Sequence, residues 1–510
     1  MADQKPSPVI PPDLPPTRAT AIRSALWAAF GAAGRYAIAG LTTLALTHLL
    51  GPKAFGLVAI TVTAQALISH VIPVGFHDAL IQRPRLDDAA LNTAFWSVSA
   101  LAAGAGLLVI ALAPLVAGWF DQAVLASLIA GMVLASLLRA LSTVPRALLN
   151  RRMDFRTLVL ARIAGMGIGG LVAVGLAATG GGAWSLIAQI AVLNLVDTLI
   201  VWRAVKWYPG RRMSRPALEQ FWRFAASVSI FTVLSYVITN ADDQLIGYRL
   251  GPEALGFYAL AYSFMAWPVR DVLGGVAVVL YPVFSRFQDD LPRLQAAYLE
   301  SLQIATLFAF PVLALLAIAT PALVPWLLGA RWTPIVLTVQ VLSLGGLREA
   351  TVMLNGSVYR ALSKPHLHML FELCNVGCYL VAFIVGLNFG IEGVAFFYVL
   401  TGVILQPVSW WLVFSVTGLS LRRWLVAVFP AAVGTGLMSA TAALALHVTR
   451  STWGMANAVA LLVMGMVALA VYGLVLVVMA PPGVRRALAA ARELLDYRLM
   501  AAGFWSGKVW

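Results

Sequence analysis

Residues 50 to 56 read Leu50-Gly51-Pro52-Lys53-Ala54-Phe55-Gly56, and the signature returns as Leu250-Gly251-Pro252-Glu253-Ala254-Leu255-Gly256. Gly and Pro are what a tight turn between antiparallel helices requires. In each copy the turn sits between two long apolar stretches and would join the first two helices of a block of six. Turn chemistry alone could account for one such match. A second echo, Gly182-Ala183-Trp184 against Gly393-Val394-Ala395 at the start of the sixth helix of each block, supports duplication. Six intervening helices give both copies the same membrane orientation, the parallel repeat found in proteins that rock two bundles about a central site.

The composition around these turns agrees. Of 510 residues, 61% are hydrophobic and 11% charged, against about 25% charged in an average soluble domain. That excludes an ordinary soluble enzyme, a disordered chain and a disulfide scaffold. A spanning helix needs about 20 apolar residues, so fourteen would use about 280 to 310. Windows of that length fall near 25–49, 54–80, 92–117, 123–145, 157–178 and 183–203, then near 219–248, 254–282, 296–319, 333–358, 366–387 and 391–415. A last pair falls near 424–447 and 454–479. The expected fold class is therefore an all-α integral membrane protein of about 14 transmembrane helices, with two parallel six-helix lobes and two extra C-terminal helices.

The domain plan follows from these windows: a disordered, proline-rich cytoplasmic tail over 1–24, an N-terminal lobe over 25–204, a C-terminal lobe over 219–415, two further helices over 424–479 and a basic cytoplasmic tail over 480–510. The first apolar stretch is too long for a signal-peptide core and lacks a clear small-residue cleavage site after it. Cys374 and Cys378, four apart in an apolar window, share a helical face and read as small core residues.

The formal net charge is +14, which in a soluble protein would suggest nucleic acid. Its placement says otherwise. Cytoplasmic loops of membrane proteins carry the excess of Lys and Arg. With the N-terminus inside, 25 of the 35 Lys and Arg fall on cytoplasmic segments, four (Lys53, Arg249, Arg331, Arg450) on outer loops and six within helices. Both termini are thus expected in the cytoplasm, and no nucleic-acid partner is implied. The outer loops are short, whereas a polymerase or glycosyltransferase acting on lipid-linked sugars at the outer face would be expected to carry acidic catalytic residues on a long one.

An ionisable residue in mid-bilayer costs about 2.5 to 3.5 kcal/mol on insertion scales and is by default a functional candidate. Arg139, Arg162 and Arg223 lie near cytoplasmic helix ends, where a long side chain can snorkel to water. Arg35, Arg270 and Arg348 lie about 15 Å deep at 1.5 Å per residue, and their planar forks suit phosphate oxygens. The seventh helix carries a polar stripe of Thr232, Ser235, Tyr236, Thr239, Asn240, Asp242 and Asp243 at helical spacing. The tenth follows with Arg348, Asn355 and Tyr359 after Gly345-Gly346. On the eighth, Arg270-Asp271 sits between Pro268 and Gly274-Gly275, where a helix can bend. Two readings of these groups stay open: a water-filled cavity, or charge pairing between helices that is purely structural. Asp242, Asp243, Asp271 and Glu349 are the candidates for ion coupling. His48, His70 and His77 read as interfacial or packing residues. No nucleotide-binding loop, metal-ligand motif or nucleophile elbow appears in the sequence, so neither cofactor nor metal is expected.

Several segments together carry a resemblance. They are Ala79-Leu80-Ile81-Gln82-Arg83 with Thr93-Ala94-Phe95-Trp96; Arg152-Met153-Asp154-Phe155-Arg156; Asn240 through Gly247, Leu250-Gly251-Pro252 and Leu255-Gly256-Phe257-Tyr258; and Tyr281-Pro282-Val283-Phe284-Ser285-Arg286 with Gln288-Asp289-Asp290. Over about residues 25 to 415 the chain resembles the polysaccharide-export flippases of the multidrug, oligosaccharidyl-lipid and polysaccharide exporter superfamily, in the branch of colanic- and teichuronic-acid exporters. The resemblance implies two six-helix lobes in a V around a cationic cavity. It also implies alternating exposure of a lipid-linked oligosaccharide to the two sides of the membrane. Asp242 falls on the family's aspartate position, whereas Asp243 stands where the family often has a neutral amide.

The expected function is export of an undecaprenyl-pyrophosphate-linked glycan repeat unit across a bacterial inner membrane, with Arg35, Arg270 and Arg348 on the pyrophosphate. Membrane lipids, and a polymerase or export complex, are the further partners considered. The rivals are a cation-coupled drug antiporter of the same superfamily, which should carry acids where the first helix offers Arg35, and a membrane glycosyltransferase or polymerase. A scaffolding role through the C-terminal tail is compatible with either transport reading. The topology is checkable by single cysteines in a Cys374→Ala/Cys378→Ala background: one at Lys53 should react with an impermeant thiol reagent in intact cells, and one at Arg286 only after permeabilisation.

Overall fold

A computed structural model describes residues 18–66, 76–77, 79–81, 83, 86–219, 221–222, 240–452 and 457–479. Among the described residues the chain is helical, without strands, and nine helical stretches are long and apolar enough to cross a bilayer. It divides into two compact units, Met1–Ala259 and Leu260–Trp510.

The first unit contains α1 (Arg18–Leu49), α2 (Pro52–Ala66), α3 (Asp88–Trp119), α4 (Val124–Leu141), α5 (Thr143–Arg151), α6 (Phe155–Ala178), α7 (Ala183–Val205) and α8 (Ala241–Arg249), and ends inside α9 (Gly251–Ala266). α6 packs against α1 and α7, while α4 packs against α3, α7 and α2. The windows near 92–117, 157–178 and 183–203 match α3, α6 and α7, while α1 begins at Arg18, ahead of the expected start near 25. The fourth window breaks at Ser142 into α4 and the short α5, and residues 67–75 of the second lie outside the described residues. Residues 223–239, the greater part of the expected seventh helix, lie outside the described residues, and α8 with Asn240 before it is the part seen.

The two repeated turns meet each other. A β-carbon on Gly56 would fall against the carbonyl of Pro252 and 2.9 Å from the backbone nitrogen of Gly256; one on Gly256 would fall against the carbonyl of Pro52 and 3.0 Å from the nitrogen of Gly56. The contact is reciprocal, as a duplicated motif packing on its own copy requires, and only glycine lets the two backbones approach this closely.

The other motifs also become local structure. In Arg152-Met153-Asp154-Phe155, Met153 turns the chain at φ +55° and Asp154 caps α6, accepting from the Thr157 amide at 3.1 Å and its hydroxyl at 2.6 Å. Arg151 donates to the carbonyls of Leu80, Ile81 and Arg83, tying down the 79–83 motif. The Thr93–Trp96 motif seats the segment after α7. Asn92 accepts from the Gly210 amide at 2.8 Å, Thr93 Oγ1 from the Ser214 amide at 2.8 Å, and Trp96 donates to the Gly210 carbonyl at 3.0 Å.

The second unit continues from α9 through a π-helical turn, Trp267–Leu273, into α10 (Gly274–Arg286). The expected bend between Pro268 and Gly274 thus takes the form of a π-helical stretch, which often marks a functional site. Then follow α11 (Leu291–Leu327), α12 (Ile335–Val352), α13 (Asn355–Ala361), α14 (Pro365–Gly386), α15 (Gly390–Thr417), α16 (Leu421–His447) and α17 (Asn457–Met479). Asp290, from the Gln288-Asp289-Asp290 motif, caps α11 by accepting from the Arg293 amide at 3.2 Å. The 37-residue α11 is the spine of the unit and packs on α12, α16 and α17. Tyr472 of α17 donates to the Leu307 carbonyl of α11 at 2.7 Å. The last two helices are therefore built into the second unit through α11.

One expectation is corrected. Cys374 and Cys378 do share a face of α14, but both are exposed. α14 packs chiefly on α15 and presents its other face outward, so these small residues are not core.

Replacing Gly256 with Val should destabilise the protein by about 1 to 3 kcal/mol or more through overpacking. Gly40→Ala, at a site with nothing within 4 Å of the added carbon, should have little effect. Thermal unfolding of purified protein in detergent, followed by intrinsic fluorescence, compares the two.

Candidate functional site

In the first unit the deep positive charge is larger than the sequence reading allotted. Arg35 on α1, Arg139 on α4, Arg146 on α5 and Arg162 on α6 are all half-buried. Arg139 lies within electrostatic range of Arg146 and Arg162, and Arg35 within range of Arg162. Arg139 and Arg162 were expected to snorkel. Instead Arg162 turns inward with Nη1 fully covered. The reason is packing: α6 lies so tightly on α7 that β-carbons at Gly165 and Gly169 would meet the Leu193 and Gln189 carbonyls at 2.7 and 2.6 Å.

The carboxylate facing this cluster is Asp197 on α7, 1% exposed and ion-paired with Arg146. Its neighbours fix it: Asn194 donates to the Ala135 carbonyl and Thr198 to the Leu138 carbonyl, each at 2.9 Å, which locks α7 to α4. Sequence reasoning missed Asp197. The signal was present, because Asn194, Asp197 and Thr198 follow i, i+3, i+4 spacing in an apolar window.

Of the seventh-helix stripe, Thr232, Ser235, Tyr236 and Thr239 lie outside the described residues. Asn240 is the turn residue that opens α8. Asp242 is buried and accepts from the Tyr258 hydroxyl at 2.9 Å, joining two segments of the family signature. Asp243 follows it on α8, half-buried.

In the second unit Arg270 and Glu349 come together across helices. Arg270 Nε donates to Glu349 Oε1 at 2.9 Å, and the Tyr398 hydroxyl donates to Glu349 Oε2 at 3.0 Å. The Arg270 guanidinium also lies over the Tyr262 ring, 5.3 Å from its centre. Tyr398 stacks on Tyr379 at 5.2 Å. The Asp271 side chain lies outside the described residues, although its backbone is in the π-helical turn. Arg348 differs from Arg270, since both its hydrogen bonds go to neutral groups: Nε to Gln406 Oε1 at 3.0 Å and Nη1 to the Tyr379 hydroxyl at 3.2 Å. It lines a pocket of about 480 Å³ with Thr351, Gln406, Phe310, Trp410 and Trp424.

Asn355 lies deeper in the protein, accepting from the Tyr298 hydroxyl at 2.7 Å and donating to Ser409 at 3.1 Å, and Tyr359 is fully buried in the same core. Glu372 on α14, a second carboxylate missed from sequence, lies within electrostatic range of Arg348, Glu349 and Arg270. Among the described residues no group of acidic, His or Cys side chains could hold a metal ion.

Residues 45–337 match the family described as polysaccharide biosynthesis protein. The chain belongs to that family. Similar members include the succinoglycan biosynthesis transport protein ExoT of Rhizobium meliloti, 27% identical over 61% of this chain, a match that spans 63% of that relative's length. The lipopolysaccharide biosynthesis protein WzxC of Escherichia coli is 24% identical over 81% of this chain and 85% of its own. The teichuronic acid biosynthesis protein TuaB of Bacillus subtilis is 24% identical over 70% of this chain and 72% of its own. Among solved structures, the lipid II flippase MurJ in an inward closed conformation matches 90% of this chain and 98% of its own with a TM-score of 0.66 at 14% identity. An inward-facing multidrug MATE transporter of the MOP superfamily matches 76% of this chain and 99% of its own with a TM-score of 0.60, also at 14% identity.

This member of the polysaccharide biosynthesis family is thus a multi-pass membrane protein, helical throughout its described residues, whose fold is like that of MurJ and the MATE transporter. The buried Arg146–Asp197 pair is open to test by substitution. Asp197→Asn should cost about 3 to 5 kcal/mol, because it strands Arg146. Arg146→Met combined with Asp197→Leu should recover much of that loss, as read by detergent-solubilised yield and melting temperature.

Proposed function

We propose that this protein moves an undecaprenyl-pyrophosphate-linked oligosaccharide repeat unit from the inner to the outer leaflet of a bacterial inner membrane by alternating access, with both termini in the cytoplasm. One observation carries the reading. Arg35, Arg139, Arg146 and Arg162 gather inside an apolar bundle, and the acid paired there is Asp197. Uncompensated charge in hydrocarbon is expensive, so a cluster of this kind is suited to a ligand that brings negative charge, and guanidinium forks match phosphate oxygens in shape and number.

The relatives support the glycan half of the reading, since their names place them in succinoglycan, lipopolysaccharide and teichuronic acid biosynthesis, and MurJ is named for lipid II. The second unit has a guanidinium of its own at a pocket, that of Arg348. Its hydrogen bonds go to neutral groups, and it lines the pocket with Trp410 and Trp424, whose ring faces suit sugar C–H groups or an isoprenyl chain. Moving negative charge outward across an inside-negative membrane is favoured by about 2.3 kcal/mol per charge per 100 mV. A drug-cation antiporter is the weaker reading, because a cationic substrate would be repelled by the arginine cluster.

Flipping of a fluorescent undecaprenyl-pyrophosphate-linked glycan in proteoliposomes tests this. An inside-negative potential should accelerate it, and replacing Arg35, Arg270 and Arg348 together with Gln should slow it at least about tenfold, the equivalent of about 1.4 kcal/mol in the barrier. Unchanged flipping by the triple variant would remove these arginines from the substrate path. Efflux of a hydrophobic cation in place of glycan flipping would establish the antiporter.

A further inference from the structure

The Arg146–Asp197 and Arg270–Glu349 pairs, each joining separate helical segments, differ in a way that separates a structural role from a working one. Asp197 is 1% exposed and its partner Arg146 17%, whereas Arg270 is 35% exposed and Glu349 17%. In the first pair the carboxylate is sealed from a ligand. The second is open on the arginine side, and its cation is already held from below by the Tyr262 ring. Arg270 uses Nε on Glu349, which leaves the four N–H groups of its two terminal nitrogens for another anion.

We propose that Glu349 is a proton-binding site linked to anion binding at Arg270: a phosphate oxyanion takes the guanidinium when Glu349 gives it up, and Glu349 takes up one proton as it does so. The inference rests on the proposed pyrophosphate-lipid substrate. With the site empty, Glu349 serves as the anion of Arg270. When a phosphate group occupies the terminal nitrogens, an ionised Glu349 would face a second anion at close range in a poorly solvated setting. Like charges so placed do not both stay ionised. One proton from water then goes to Oε1, while Oε2 keeps the hydrogen bond from Tyr398. No covalent bond changes.

The groups around Glu349 favour this exchange over a simple collapse of the site. On its own helix Arg348 is held by Gln406 and Tyr379, so it does not swing in to replace Arg270. Gln406 is in turn braced against Thr351. From the packed elements come Tyr262 on α9, Arg270 on the π-helical turn, Tyr398 on α15, and Tyr379 and Glu372 on α14. Two arginines and two glutamates make the empty group charge-balanced. A single proton on Glu349 releases one positive charge for the phosphate, and Arg270 does not have to move. In transport the proton accompanies the anion, lowering by one the negative charge carried per cycle.

The test uses the full-length protein in nanodiscs and farnesyl pyrophosphate as probe. Isothermal titration in two buffers of different ionisation enthalpy gives the protons taken up on binding. The wild type should take up about one proton more than Glu349→Gln, and its affinity should rise about tenfold more per unit fall in pH where Glu349 is ionised in the empty site. Glu349→Gln should bind more tightly than wild type at the alkaline end, where the native carboxylate competes most. Arg270→Gln should lose both affinity and the linked proton.

Equal proton uptake and equal pH slopes in wild type and Glu349→Gln would overturn the linkage while leaving the proposed substrate standing. Failure of the wild type to bind the probe at any pH would overturn both. If Glu349→Gln does not fold, Tyr398→Phe removes one donor from the ionised carboxylate. The proton count should then stay near the wild-type value with its pH midpoint moved upward, and an unmoved midpoint would count against the proposal.

Discussion

A guanidinium in hydrocarbon must find a counter-charge or a wet surface, and this requirement orders both units of the protein. Neither composition nor hydropathy foretells where the counter-charges are. In the first unit Asp197 sits on α7, and the hydrogen bonds that hold it there, Asn194 and Thr198 to α4 carbonyls, also hold the helices together. In the second, Glu349 is fixed from two sides by Arg270 and Tyr398, and the same group of side chains draws α12, α15 and the π-helical turn into register. In each unit the polar contacts that make the charge tolerable are also contacts between helices. The arginines could not be removed without altering the packing, nor the packing without altering how much charge is exposed.

The repeat was legible in the sequence because its chemistry is backbone chemistry. Leu-Gly-Pro at 50–52 and 250–252 marks a turn whatever surrounds it, and Gly56 and Gly256 are glycines for a steric reason that acts on the motif itself. The helix windows were legible for a similar reason, since twenty apolar residues have few other uses. The family motifs were recognisable as a pattern but their purpose was not. That Arg151 would cap the 79–83 segment, or that Asn92 and Thr93 would seat the chain after α7, depends on pairs of residues some 70 to 120 positions apart.

The charged side chains divide along the same line. Depth along a helix can be counted, so Arg35, Arg270 and Arg348 stood out. The direction of a side chain around the helix cannot be counted when the helix is apolar on every side. Arg139 and Arg162, near the ends of their helices, were assigned to water on depth alone, and Arg162 is turned inward by the close seat of α6 on α7. The pairing of Arg270 with Glu349 rather than with its neighbour Asp271 follows from which faces meet across the π-helical turn. Asp197 and Glu372 stood alone in apolar windows with no motif to draw attention to them, although an isolated acid in such a window is as costly as an arginine.

The contrast between the two counter-ions bears on how the proposed anionic substrate would be held. A carboxylate sealed against solvent, as Asp197 is, contributes the same charge throughout a cycle and serves to set the strength of the cationic cluster beside it. A carboxylate whose partner is one-third exposed can be exchanged for a ligand, and then its own charge becomes a variable. Had both pairs been sealed, any anion would have met a fixed field and binding would depend on pH only through the anion. Had both been open, a carboxylate would compete with the anion in each unit. Under the proposed linkage, one of each would give a permanent attraction in the first unit and an adjustable one in the second. The adjustable member is also the one mounted on the π-helical turn, where the helix geometry departs most from the regular.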